Sequence, residues 1–186
     1  RTAMRGACLL LLGWRIGLPG LVFLSPQDLV GALDVSMGNP ATPVVPLWEE
    51  RSLPAGRVAS MIFGALADQW AQGDSFVKQI SRLMHIRHAV GLAEGRLTRI
   101  VTGPPGCMAV WSALPHGGYW GFFANFSRKP QIMDCAVPQV DAPIARDALS
   151  GHPLQTDGRS LTVSIGAYEA RHVLLGVSKN YGEMMP

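Results

Sequence analysis

Asp28 and Asp34 are the first side chains whose placement suggests chemistry. They follow Gly20-Leu21-Val22-Phe23-Leu24-Ser25, a wholly apolar run bounded by Pro19 and Pro26, which reads as a strand covered on both faces. Carboxylates that follow such a strand lie on the side where barrel enzymes build their sites. Glycosidic bond cleavage, for example, needs a nucleophile and a proton donor held about 5 to 9 Å apart. Neither Asp has an obvious carboxylate partner elsewhere in the chain, so residue types alone yield no activity.

Other chemistry-bearing residues read more simply as structure. His85 and His88 stand three apart on an expected helix and could share a face, but no Cys or carboxylate repeats that spacing nearby, which argues against a metal site. Cys8, Cys107 and Cys135 are odd in number and far apart. They fit a reducing, cytoplasmic setting better than a disulfide framework or zinc. Gly103-Pro104-Pro105-Gly106 leads into a strand and not a helix, so it is a turn and not a phosphate loop. No Gly-x-Ser-x-Gly elbow occurs. Trp111, Tyr119, Trp120, Phe122, Phe123 and Phe126 could stack on sugars, although the core of a β-sandwich uses the same types. Trp48, beside Glu49, Glu50 and Arg51, reads as a loop anchor.

The elements that must position these residues change character along the chain. With 186 residues, 48% hydrophobic and 16% charged, the chain can bury a core but is shorter than the roughly 250 residues of a complete (β/α)8 barrel. Its formal charge of +3 is spread over both halves, and Arg128-Lys129 is its only adjacent basic pair; nucleic acid is therefore not an expected partner. Arg15, Pro19 and Gly20 interrupt the N-terminal apolar run, which argues against a signal peptide and a membrane span. Residues 3–14 suit a short buried helix. Pro40, Pro43, Pro46 and Pro54 exclude a long regular element between Gly38 and Gly56. After Gly73-Asp74-Ser75, an N-cap signal, the spacing of Phe76, Ile80, Leu83, Met84 and Val90 predicts a helix ended by Gly91 or Gly95, with Lys78, Arg82 and Arg87 mostly off the apolar stripe. Beyond residue 96 the period becomes two. Leu97–Thr102, Met108–Leu114, Tyr119–Phe126, Gln131–Val137, Leu161–Ile165 and Arg171–Val177 read as strands of an antiparallel sandwich of about 80 residues.

This order of parts resembles the C-terminal end of an α-amylase superfamily enzyme, glycoside hydrolase family thirteen. LPGLVFLSPQDLVG, Leu18 to Gly31, is similar to the family's eighth barrel strand, a Leu-Pro-Gly opening followed by an apolar strand, Gly-Asp-Glu and a closing Gly. Leu18, Pro19, Gly20, Asp28 and Gly31 fit; Gln27 replaces the usual Gly and Leu29 the usual Glu, so no role of that Glu carries over. SFVKQISRLMHIRHAVGLAEGRL, Ser75 to Leu97, resembles the last barrel helix with its Leu-x-x-x-Arg run. DALSG, Asp147 to Gly151, and the following SLTVSIGAYEARHVLLG resemble the closing strands of the C-terminal domain. The Gln27-Asp28-Leu29 variant and the Gly73–Gly95 wording are most similar to trehalose synthase-like members.

The resemblance implies an α+β fragment: residues 1–95 as the end of a (β/α)8 barrel, 96–178 as a β-sandwich, and 179–186 as a tail. It implies a parent enzyme that cleaves or transfers α-glucosidic bonds by a retaining double displacement. The three catalytic carboxylates would precede this segment, so no position here inherits a catalytic role and the segment alone is expected to be inactive. Gln27 and Asp28 are the expected sugar-contacting groups; no metal or cofactor is expected. The partner would be carbohydrate, reached through the rest of the barrel. A β-sandwich module binding carbohydrate or protein is the rival reading, which exposed coplanar aromatics on one sheet face would favour. A lone barrel strand would leave its edges unpaired and apolar surface exposed, so residues 1–60 are expected to be the less protected part in hydrogen exchange.

Overall fold

A computed structural model of the chain describes residues 2–24, 28, 32–36, 57–61, 63, 66–140 and 144–177. Helix α1 (Thr2–Gly17) outruns the expected 3–14 at both ends, and stops where Pro19 disfavours helical backbone at Leu18. A hairpin of β1 (Ala32–Ser36) and β2 (Arg57–Met61) follows, pairing Ala32 with Met61 and Ser36 with Arg57. The proline-rich stretch between these strands lies almost wholly outside the described residues, as does Trp48 with its charged neighbours. Helix α2 (Leu66–Ala71) is short.

Helix α3 (Phe76–Ala89) is the helix that the spacing predicts. Ser75 caps it, its side chain accepting a hydrogen bond from the Lys78 N–H at 3.3 Å, and Phe76, Val77, Ile80, Leu83 and Ile86 are all buried. Gly91, at φ +68°, takes the left-handed conformation that closes it. A 3-10 turn, Leu92–Glu94, leads to the β region.

That region comprises β3 (Arg96–Thr102), β4 (Cys107–Ala113), β5 (Tyr119–Asn125), β6 (Gln131–Ala136), β7 (Ala145–Asp147), β8 (Pro153–Leu154), β9 (Ser160–Ile165) and β10 (Glu169–Leu175). All strand pairs are antiparallel. They form a six-stranded sheet, β3-β4-β5-β10-β7-β8, and a separate ribbon of β6 and β9. The expected strands are present within a residue or two. The sandwich, however, is one sheet between two unlike covers. On one face the ribbon closes a core of Trp111, Phe123, Met133, Leu161, Val163 and Val173. On the other face lie α1 and α3, with Trp120 and Leu174 packed against Ile16, Ile80 and Leu83. Burial on both faces explains why β4 and β5 are near-continuous apolar runs, whereas β6 and β9, wet on one side, alternate. Edge strand β3 is exposed along nearly its whole length; Arg96, Arg99 and an irregularity between Leu97 and Arg99 discourage further pairing there.

Trp111, Trp120, Phe122 and Phe123 are fully buried, so they are core and not a sugar-stacking face. Cys8, Cys107 and Cys135 are free thiols, each pushed up in pKa by burial and correspondingly unreactive. Among the described residues no helix is long and apolar enough to cross a membrane.

Glycines set the distance between α1 and the sheet. A Cβ at Gly17 would sit 2.8 Å from Phe122 Cδ2, and one at Gly13 would sit 3.2 Å from His172 Nε2. Gly17→Ala is therefore expected to cost about 1–3 kcal/mol through overpacking, lowering Tm in a thermal melt by about 2–4 °C for each kcal/mol. His172 lies beneath this seam, 3% exposed, its ring 5.3 Å from both Trp120 and Phe122. Burial drives its pKa down to about 4, against a smaller opposing pull from Asp147. Because the unfolded chain takes up the proton first, near pH 6.5, the stability of the neutral histidine is intact above that value and is lost as pH falls toward 4. The loss should total about 3 kcal/mol, read from urea midpoints across that range. His172→Phe should remove that component of the slope.

Candidate functional site

The segment leaving α1 carries the candidate residues, and one side chain holds it. Arg87 on α3 is 4% exposed. Its guanidinium donates to the carbonyls of Ile16 and Leu18, each at 2.5 Å, and to that of Gly20. The last carbonyls of a helix have no partner within it; here one cation satisfies the end of α1 and the turn beyond. Burial lowers the pKa of Arg87 from its ordinary value, but three carbonyl oxygens stabilise the charge. Gly20, at φ +98°, turns the chain in a conformation closed to side chains, and its N–H donates to the Ala93 carbonyl at 3.0 Å.

From Gly20 the chain runs on through Leu24 without a ladder partner among the described residues. Its side chains nevertheless alternate. Leu21 and Phe23 are 84% and 78% exposed, while Val22 and Leu24 pack against the cluster of α1 and α3. A strand needs neighbours for its backbone groups, and the described residues supply none at this place.

Asp28 sits beyond this segment, tied by an ion pair to Arg15 at 3.4 Å; the same Arg15 donates to the Phe23 carbonyl at 2.6 Å. With Arg15 half exposed, the pair contributes at most about 1 kcal/mol. Its role is geometric: it fixes where Asp28 stands relative to the segment. Gln27, expected to contact sugar beside it, lies outside the described residues. Asp34 falls within β1, opposite Ala59. His85 and His88 are both exposed on α3. Among the described residues no group of three His, Cys, Asp or Glu side chains could hold a metal ion. A carboxylate beside an arginine can orient a hydroxyl-rich ligand by hydrogen bonds.

Arg87 was the residue the apolar pattern misplaced. Ile80, Leu83, Arg87 and Val90 recur at three- and four-residue steps, so the arginine shares the buried stripe; that spacing was the available signal.

No family model and no curated protein matches this chain. Solved structures do. The α-amylase from Geobacillus thermoleovorans, complexed with acarbose, superposes with a TM-score of 0.63 at 10% identity, covering 95% of this chain and 34% of that one. A variant of AmyP in complex with maltotriose gives 0.62 at 13% identity, covering 95% and 35%. The α-amylase from H. orenii gives 0.61 at 16% identity, covering 92% and 36%. The chain thus spans about a third of the length of these enzymes.

Arg87→Ala should leave buried carbonyls unpaired, at a cost of about 2–4 kcal/mol, and should raise amide hydrogen exchange over residues 16–24. Arg87→Lys should recover only part of the loss, since an ammonium cannot span three acceptors as the planar fork does. Asp28→Asn should change stability by less than about 1 kcal/mol. What these observations show is a fold, a small α+β unit resembling the C-terminal domain of α-amylases.

Proposed function

We propose that this chain is the C-terminal portion of a retaining α-glucosidase or α-glucosyltransferase acting on α-glucosides such as maltose, trehalose or α-glucans. In this reading residues 20–24 are the last barrel strand, α3 is the last barrel helix and β3 to β10 form the closing domain. The observation that carries it is the segment after Gly20. Arg87 and Arg15 bond its Gly20 and Phe23 carbonyls, and its side chains are apolar on both sides, covered on one and bare on the other. That is the surface pattern of a barrel strand whose inner face meets residues from other strands. The likeness of nearly the whole chain to about a third of α-amylases supports the same reading.

On this proposal Gln27 and Asp28 line the sugar site at the carboxyl end of the strand, and the catalytic carboxylates belong to preceding strands. The trehalose synthase-like sub-class rests on the wording of Gln27-Asp28-Leu29 and of Gly73–Gly95, and the cytoplasmic setting on the three unpaired cysteines. The rival module with an aromatic binding face is disfavoured by the burial of Trp111, Trp120 and Phe122.

The purified 186-residue chain is expected to release no glucose from maltose, trehalose or starch. Measurable turnover would overturn the proposal, as would an upstream coding sequence that lacks the several βα units of a preceding barrel.

A further inference from the structure

Arg128-Lys129, the one adjacent basic pair of the sequence, has no part in the segment around Asp28. It sits on the turn between β5 and β6, and that turn is built with care. Asn125, fully buried, donates through Nδ2 to the carbonyls of Lys129 and Gly166, both at 2.8 Å, and accepts the Ser127 N–H at 2.9 Å through Oδ1. The Tyr168 N–H donates to the Ser127 carbonyl at 3.2 Å. Two turns 40 residues apart in sequence, one bearing Arg128 and the other Tyr168, are thereby joined, and Arg128 Nε meets the Tyr168 hydroxyl at 3.2 Å. Tyr168 is the only described residue other than glycine with positive φ, at +52°, a conformation that costs about 1–2 kcal/mol.

Arg128 and Tyr168 of these turns line a cavity of about 620 Å³ between α1, α3 and the start of β10. Leu9, Ile80, Leu83 and Leu149 give it apolar walls, and His172 contributes from the sheet side. Glu169, the only carboxylate lining it, is already engaged by Arg171 Nε at 3.1 Å and by the Gly166 N–H. Arg128, by contrast, has among the described residues only the neutral Tyr168 hydroxyl as partner, which leaves four guanidinium N–H donors and a full charge.

We propose that this cavity binds a small anionic amphiphile, its carboxylate or phosphate on Arg128 and Tyr168 and its short apolar body against Leu9, Ile80, Leu83 and Leu149. A planar guanidinium fork beside a phenolic hydroxyl matches either oxyanion, and the volume lies in the range of small-molecule sites. The test is isothermal titration calorimetry of the whole chain with octanoate, octyl phosphate and octanol. At least one anion should saturate a single site, with octanol at least tenfold weaker, and the better anion names the headgroup. Arg128→Gln, an exposed position, should melt like the parent chain and bind the anion at least tenfold more weakly. Leu149→Trp should block binding by filling the wall. Trp70→Ala, in the separate apolar groove lined by Val22, Leu66 and Met84, should bind unchanged. Absence of saturable binding by either anion, equal binding of octanol, or an unaffected Arg128→Gln variant would overturn the proposal.

Discussion

The close approach of α1 to the six-stranded sheet is the constraint on which the rest of the molecule depends. Gly6, Gly13 and Gly17 recur at seven- and four-residue steps, so they fall on one side of the helix. A Cβ at the first would meet the Tyr168 carbonyl at 3.1 Å, just as those at the other two would meet the rings of His172 and Phe122. Without side chains there, the helix backbone rests directly on β5 and β10. The approach shields His172 from water and lets Trp14 place its ring edge-on to Phe122 at 5.6 Å. It also sets the end of α1 where Arg87 can reach it. Helical glycine is costly, about 1 kcal/mol each relative to alanine, and here the cost is offset by contact area that no larger residue would allow.

That seam explains why the centre of the sheet, β4 and β5, is dry on both faces. It also shows which features the sequence disclosed. Helix α3 was legible because its signals are local: a serine cap, a stripe at helical spacing and a closing glycine. Strands β6 and β9 were legible because one wet face leaves a clean alternation. For β4 and β5 the apolar runs disclosed strands but not their second cover, since a run buried from both sides reads the same whichever elements bury it. The contacts that join distant parts were not legible. Asn125 bonds across about 40 residues and Arg87 across about 70; the stripe through Ile80, Leu83 and Val90 marks Arg87 as buried but does not name its partners. Of the candidate site, Asp28 was found by its place after an apolar run; its partner Arg15 lies on the preceding helix, where sequence reading treated it only as an interruption of hydrophobicity.

The hairpin of β1 and β2 illustrates the opposite limit. Ala32–Ser36 and Arg57–Met61 are short, mixed in composition and separated by a proline-rich stretch. Nothing in either segment alone marks it as a strand, because pairing, not propensity, creates it. Conversely, Gly20–Leu24 has every local mark of a buried strand and lacks only neighbours. Strand identity is therefore a property of the pair, and a segment can carry the right residues while its backbone groups bond to side chains and turns instead of to a ladder.

The two halves of the chain differ in how completely they satisfy themselves. Between β4 and β9 the core closes on its own residues: Trp111, Phe123, Leu161 and Val163 are at most 1% exposed. Around the segment after Gly20 closure is partial. Leu21 and Phe23 face outward, and behind the segment Val22, Leu24, Leu66 and Trp70 border an apolar groove of about 1050 Å³, with Leu66 and Trp70 about half exposed. Contiguous apolar surface of that kind calls for a covering partner. Arg87 and Arg15 donate hydrogen bonds to the Gly20 and Phe23 carbonyls of this segment. The uncovered half, unlike the finished one, thus fixes its apolar segment by polar contacts to the backbone more than by burial.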